Sequence, residues 1–143
     1  MLLVVDAGNT NLTVGMFAGD RLISQWRIRT DLRRSVAWYA EALKNPSRKA
    51  AGLPTRVVVA SVVPDLDAVL SAAISKAFGL KATFVTPRSP LGLKLKVRKP
   101  SQVGADRILN ALALRELFAG PSIAIDFGTA TTFDCVDAEG AYI

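Results

Sequence analysis

The stretch LLVVDAGNTNLTV, residues 2–14, decides how the rest of the chain is read. Four apolar residues run into Asp6, a small polar run Ala7-Gly8-Asn9-Thr10-Asn11 follows, and apolar residues resume at Leu12. A short Val-rich run of this kind reads as a strand buried on both faces. The same layout returns 120 residues later in SIAIDFGTATTFD, residues 122–134, around Asp126. That offset is too long for a solenoid repeat and points to duplication of a whole domain.

Working outward from the first copy, residues 12–17 and 22–28 read as two further strands joined by a turn at Ala18-Gly19-Asp20-Arg21. Ser35 is placed to cap a helix running to about Lys44 and ending before Asn45-Pro46. Arg48 and Lys49, beyond that proline, are expected at the surface. Residues 56–62 form another Val-rich strand. Pro64 then opens a helix with Asp65 and Asp67 in its first turn and an apolar stripe of Leu66, Val69, Leu70, Ala73, Ile74 and Ala77, ended by Gly79. A fifth strand is expected over 81–85 and an irregular basic segment over 87–100. Ser101 is placed to cap a long helix reaching Phe118, broken by Gly120-Pro121. The second copy follows, with strands at 123–126 and 131–136 and a further strand entered at Ala141-Tyr142-Ile143. Three antiparallel strands and then alternating helices and strands imply an α/β domain with a mixed central sheet. The expected division is a domain over 1–120 and the start of a second over 121–143.

Composition narrows the chemistry. In 143 residues there are no histidines and one cysteine, Cys135. A histidine-based triad and a His-ligated zinc site are therefore excluded, and so is an internal disulfide. Proton transfer falls to Asp, Glu, Lys, Tyr or Cys135, and a metal ion would be hard and oxygen-bound, such as Mg²⁺. A lone thiol fits a reducing cytosol, and Cys135, in an apolar strand, reads as a buried, inert one. Net charge is +6, which favours anionic partners without choosing among them. No run approaches the roughly 20 apolar residues of a membrane span, and the apolar start is too short for a signal peptide.

In both copies a strand ends in Asp followed by Gly and Thr. An Asp there can hold Mg²⁺ or a water on it, and Gly8 and Gly128 let the backbone approach phosphate oxygens. The hydroxyls of Thr10, Thr129, Thr131 and Thr132 and the amides of Asn9 and Asn11 can bond phosphate. Ordinary turn chemistry accounts for a single copy as well; the recurrence behind two apolar strands favours nucleotide phosphates. The pattern is neither a Walker A loop nor a GxGxxG fingerprint. A third signal is VGADRILNA, residues 103–111. Asp106 there could accept a hydroxyl proton and Arg107 could bind a carboxylate through a bidentate fork. The plainer reading of these two is a dipole-favoured acid in a first helical turn beside a solvated arginine.

DAGNTN (6–11), GADR (104–107) and DFGTATTFD (126–134) together resemble the type III pantothenate kinases of the actin-like, Hsp70-like sugar-kinase superfamily. The resemblance runs along the whole chain. It implies RNase H-like (actin-like ATPase) domains, the two copies being phosphate-binding hairpins of a duplicated pair. It also implies ATP-dependent phosphorylation of pantothenate to 4′-phosphopantothenate, the first step of coenzyme A synthesis. The family is a cytoplasmic homodimer that uses a divalent cation such as Mg²⁺ and a monovalent one, K⁺ or NH₄⁺.

Carried over by motif, Asp6, Ala7, Gly8, Asn9, Thr10, Asn11, Leu12 and Thr13 would line the ATP phosphates, with Asp6 anchoring Mg²⁺ or its water. Gly104, Ala105, Asp106 and Arg107 would form the pantothenate site, Asp106 as general base and Arg107 on the carboxylate. Asp126 would hold the monovalent cation and Thr129 would contact ATP. Val97 stands where the family often has tyrosine. The second domain is only begun, so a fragment or truncated product with unpaired strand edges is expected.

Residues 81–107 hold seven basic side chains and one acid, Asp106. They read as an attractor of anionic substrates or, for most of the lysines, as a solvated loop. Nucleic-acid binding is a weak reading, since only Phe84 is aromatic there. Trp26, Trp38 and Tyr39 read as core or interface residues. The alternatives to an enzyme are a non-catalytic nucleotide-binding module or accessory regulator on the same fold, and a domain used only in assembly.

Overall fold

The computed structural model describes residues 1–49, 52–128 and 130–143, with the side chains of 45–49, and so those of Arg48 and Lys49, outside the description. The chain divides into two compact units, Met1–Phe84 and Val85–Ile143.

In the first unit β1 (Leu2–Ala7), β2 (Asn11–Ala18) and β3 (Arg21–Arg29) form an antiparallel meander, followed by α1 (Val36–Lys49), β4 (Arg56–Ser61), α2 (Pro64–Phe78) and β5 (Ala82–Phe84). The sheet order is β3-β2-β1-β4-β5, with β1–β4 and β4–β5 parallel. This is the expected mixed sheet. Alternation sets its faces. Leu3, Val5 and Ala7 pair with Met16, Val14 and Leu12, and all six are buried on the side that meets Tyr39 and Leu43 of α1 and Leu66, Leu70 and Ile74 of α2. The opposite side of β1 carries Leu2 and Val4, half-buried, and exposed Asp6. Strand β1 is thus fully buried on one face only. The Val-rich run alone cannot show which face lacks a covering layer.

The helices differ from expectation at their ends. Ser35 caps α1 as expected, its Oγ accepting the Trp38 amide at 3.2 Å. The helix does not stop before Pro46 but runs to Lys49. A proline removes one amide donor at a cost of about 3 kcal/mol; it does not forbid continuation. Helix α2 matches throughout. Pro64 occupies the start, Leu66, Leu70, Ala73, Ile74 and Ala77 are buried, and Gly79 at φ 68° closes the end with its amide on the Ser75 carbonyl. That left-handed backbone is where glycine avoids a Cβ penalty.

In the second unit a short 3₁₀ turn, Pro100–Gln102, precedes α3 (Ala105–Leu117), β6 (Ser122–Phe127) and β7 (Thr131–Val136). Ser101 therefore lies in the 3₁₀ turn and does not cap the helix. Val103 is extended, and Gly104 takes the cap position without a side chain. Strands β6 and β7 form a two-stranded antiparallel sheet. The expected strand at 141–143 is a single bridge position. Tyr142 bridges Leu95 on one side and Val136 on the other, and its N–H and C=O bond the Lys94 carbonyl and Lys96 amide. One face of the hairpin packs Ala124 and Val136 with Ala111 and Leu114 of α3. On the other, Ile123, Ile125, Phe127 and Phe133 are 50–81% exposed. Cys135 pairs with Ile123 on that open face and is half-buried, not the enclosed thiol its apolar neighbours suggested.

Candidate functional site

The first hairpin loop is built tightly. Ala7 pairs with Leu12, leaving Gly8, Asn9, Thr10 and Asn11 to turn the chain. The Gly8 amide donates to the Asn11 carbonyl at 3.0 Å, and a Cβ on Gly8 would lie only 3.2 Å from that same oxygen. Thr30, just beyond β3, straps the loop from outside. Its hydroxyl donates to the Gly8 carbonyl at 2.7 Å and its amide to the Thr10 carbonyl at 3.0 Å. Sequence reading gave Thr30 no role; the signal was its position one residue past a strand paired with β2. Asp6 and Thr13 face one another across the hairpin on the side away from the helices. Ala7 and Leu12 point into the core and are fully buried, so only their main chain is present at the loop.

The second hairpin repeats the pairing. Asp126 stands opposite Thr132, as Asp6 does opposite Thr13, and Gly128 follows the strand end. Phe127 pairs with Thr131, so this loop is one residue shorter than the first. Its middle residue, Thr129, lies outside the described residues. The Asp126 carboxylate is exposed and has no protein hydrogen-bond partner among the described residues.

At the start of α3, Gly104 supplies an extended cap and Ala105 is buried. Asp106 Oδ1 accepts the Arg107 amide at 2.8 Å. The carboxylate thus satisfies one of the helix's unpaired amides, and its second oxygen has no protein partner among the described residues.

Arg107 is not a solvated side chain. Its Nη1 donates to Asp134 Oδ1 and to the Tyr142 hydroxyl, both at 3.2 Å. Asp134 is 1% exposed and also accepts the Tyr142 O–H at 3.1 Å and Asn110 Nδ2 at 2.9 Å. Burial pushes the Tyr142 phenol above its ordinary range; Arg107 opposes this and Asp134 adds to it. The Tyr142 hydroxyl bond is the main influence raising Arg107. Sequence reading assigned no role to Asn110, Asp134 or Tyr142. The available signal was helical: Arg107 and Asn110, three apart, share a face of α3, and Asp134 shares a β7 face with buried Val136.

The structure therefore places the expected phosphate-loop residues in the first unit and Gly104–Arg107 and Asp126 in the second. It joins Arg107 to Asp134. Among the described residues no group of three or more His, Cys, Asp or Glu could hold a metal ion, and no helix is long and apolar enough to cross a membrane. Part of the basic segment is paired as well: Lys96 bonds Asp137 and, at 2.9 Å, Glu139.

The family model for type III pantothenate kinase matches residues 2–143, across all three motifs. The chain belongs to that family. A type III pantothenate kinase of Moorella thermoacetica is 41% identical over 100% of this chain and 58% of its own length. One from Geobacter sulfurreducens is 42% identical over 99% of this chain and 57% of its own length. The chain thus spans less than three-fifths of the curated pantothenate kinases it matches. In structure it is similar to a ROK hexokinase from Thermus thermophilus, with a TM-score of 0.52 at 17% identity, over 99% of this chain and 47% of the other. That likeness shows the fold alone, the α/β, RNase H-like fold of actin-like ATPases and sugar kinases.

Proposed function

We propose that this chain carries the phosphate loop and the acceptor site of an ATP-dependent pantothenate kinase, which makes 4′-phosphopantothenate and so begins coenzyme A synthesis. The family match across all three motifs carries the reading. The geometry at Asp106 supports it. One carboxylate oxygen is fixed by the Arg107 amide at 2.8 Å, while the other is open to accept a proton from the primary hydroxyl of pantothenate. Arg107 is held beside it to bind the pantothenate carboxylate. Gly104 and Ala105 offer main chain to the same substrate.

Asp6, Ala7, Gly8, Asn9, Thr10, Asn11, Leu12 and Thr13 would cradle the ATP phosphates, Ala7 and Leu12 through the backbone, and Thr129 would contact the nucleotide. Among the described residues Asp6 belongs to no group of three or more His, Cys, Asp or Glu that could hold a metal ion. That suits Mg²⁺, which takes one or two carboxylates and completes its shell with phosphate oxygens and water. When bound, the ion neutralises charge on the phosphates. Asp126, an exposed carboxylate at the matching strand end, would hold K⁺ or NH₄⁺. A homodimer in the cytoplasm, and a domain boundary at 120/121 reflecting the duplicated hairpins, belong to the same reading.

The test is phosphorylation of pantothenate by this chain with ATP and Mg²⁺, with K⁺ exchanged for Na⁺. Asp106→Asn should lower turnover by about 10²–10⁴-fold, the usual contribution of a general base, and leave ATP binding intact. Full turnover in that variant removes Asp106 from the role. Folded chain that binds ATP but never phosphorylates pantothenate favours the nucleotide-binding module instead.

A further inference from the structure

The cluster around Asp134 has a geometry that ordinary core packing does not require. A carboxylate is almost never fully buried unless paired, and Asp134 is 1% exposed with three donors on it: Arg107, Asn110 and Tyr142. Every contact of Arg107's guanidinium in that cluster is made by one nitrogen, Nη1. Among the described residues Nε and Nη2 have no protein partner, and the side chain remains 37% exposed. Nε–H and the adjacent Nη2–H form the side-on edge of a guanidinium, the pair of parallel donors that matches the two oxygens of a carboxylate. The inner corner is tied down and the outer fork is left open.

We infer that Asp134 is a positioning residue for ligand recognition. With Tyr142 and Asn110 it fixes Arg107 through Nη1, so that the Nε–Nη2 edge is presented, already oriented, to a carboxylate ligand at the start of α3. Tyr142 completes the hold, since its hydroxyl accepts from Nη1 and donates to Asp134 Oδ1. The arrangement deepens the proposed pantothenate site and rests on that reading for the identity of the ligand, though not for the hold itself. Orienting a flexible arginine before binding removes the entropic cost of immobilising that side chain on the ligand. A solvated arginine would lose that freedom only on binding.

Two measurements separate the hold from the ligand. The first uses the unliganded chain. Proton exchange at the Arg107 guanidinium is followed by ¹⁵N NMR, the signal assigned by its loss in Arg107→Lys. Asp134→Asn keeps the volume but removes the charge, and should speed exchange at Nη1 about tenfold or more. Tyr142→Phe, which leaves no charge unpaired, should shift it in the same direction by less. Unchanged exchange in both variants overturns the inference.

The second compares binding of pantothenate with its alcohol analogue, in which CH₂OH replaces the carboxylate. The parent chain should prefer pantothenate, and Asp134→Asn should erode that preference about tenfold. A residue with a merely structural role lowers both affinities alike, and an unchanged ratio overturns the inference. A parent chain that holds Arg107 rigidly yet shows no preference for the carboxylate defeats the pantothenate reading, with the ligand half of this inference, while the exchange data continue to support the positioning.

Discussion

The hairpins β1–β2 and β6–β7 place the same pair at the same point, Asp6 opposite Thr13 and Asp126 opposite Thr132, yet they are supported differently. The first lies inside a five-stranded sheet whose inner face meets two helices. The second is a sheet of two strands with one helix behind it and an open apolar face in front. Isolated two-stranded hairpins are marginal in water. The second gains support from polar ties that the first does not need: Asp134 to α3, and Tyr142 to both β7 and 94–96. The comparison teaches that a local motif sets strand pairing and loop shape, while its stability comes from what covers its faces.

Matched truncations test this with the largest expected effect. Leu12 is fully buried, and Leu12→Ala should cost about 2–5 kcal/mol. Ile125 is 50% exposed, and Ile125→Ala should stay within about 0.5 kcal/mol. Urea unfolding can read the first through Trp26 and Trp38, the chain's two tryptophans, both in the first unit. Amide exchange along β7 reads the second. Similar losses at the two positions would mean the open face is covered in solution and would sink the comparison.

The same contrast explains what was legible in the sequence. Strands of the first unit were readable because Val-rich runs and alternation mark the apolar segments of a sheet, though not which face of β1 lies uncovered, and Gly79 marks a helix end that needs a positive φ. The helix limits at Pro46 and Ser101 were not, because each depends on a balance. At Pro46 one lost hydrogen bond is outweighed by the rest of α1. At Ser101 a good capping residue is bypassed when the chain extends at Val103 and starts the helix after Gly104. Asp6, Asp106 and Asp126 stood out because acids at strand or helix ends break an apolar pattern. Asp134 did not, since a polar residue within an apolar strand acquires its meaning only when Arg107, Asn110 and Tyr142 reach it from distant positions. Thr30 was hidden for the same reason.

A smaller effect separates the two helix starts. Helix α1 is capped by a serine hydroxyl, whereas α3 begins at a glycine and relies on the carboxylate of Asp106, its second residue, in the first turn. Ser35→Ala should destabilise the first unit by about 1 kcal/mol, and Ser35→Gly by only a few tenths. Equal losses for the two variants, measured by the same tryptophan signal, would show that the Ser35 hydroxyl does not act as the cap.

The smallest expected effect concerns the turn that brings Tyr142 back to the second hairpin. Asp137 Oδ1 accepts the amides of Glu139 and Ala141, at 3.0 and 2.9 Å, and Oδ2 meets the Lys96 ammonium. Lys96, then the Ala141 amide, holds the Asp137 carboxyl down to about 2, below its ordinary 3.8. A carboxyl depressed in the folded state adds stability above its unfolded value and loses it as pH falls through the folded one. The contribution is therefore whole above about pH 4 and fades between about pH 4 and pH 2. Lys96 is raised by the same partners, so its share is present below its ordinary 10.5 and fades only as pH rises through the higher folded value. The ion pair is at the surface, so the effect is small and shrinks further in salt. Protection of the Tyr142 amide, followed from pH 5 to pH 2 at low salt, should fall more steeply in the parent than in Asp137→Asn. Parallel curves would show that the turn is held by its backbone alone, leaving the Asp134 cluster as the polar tie that fastens this end of the chain.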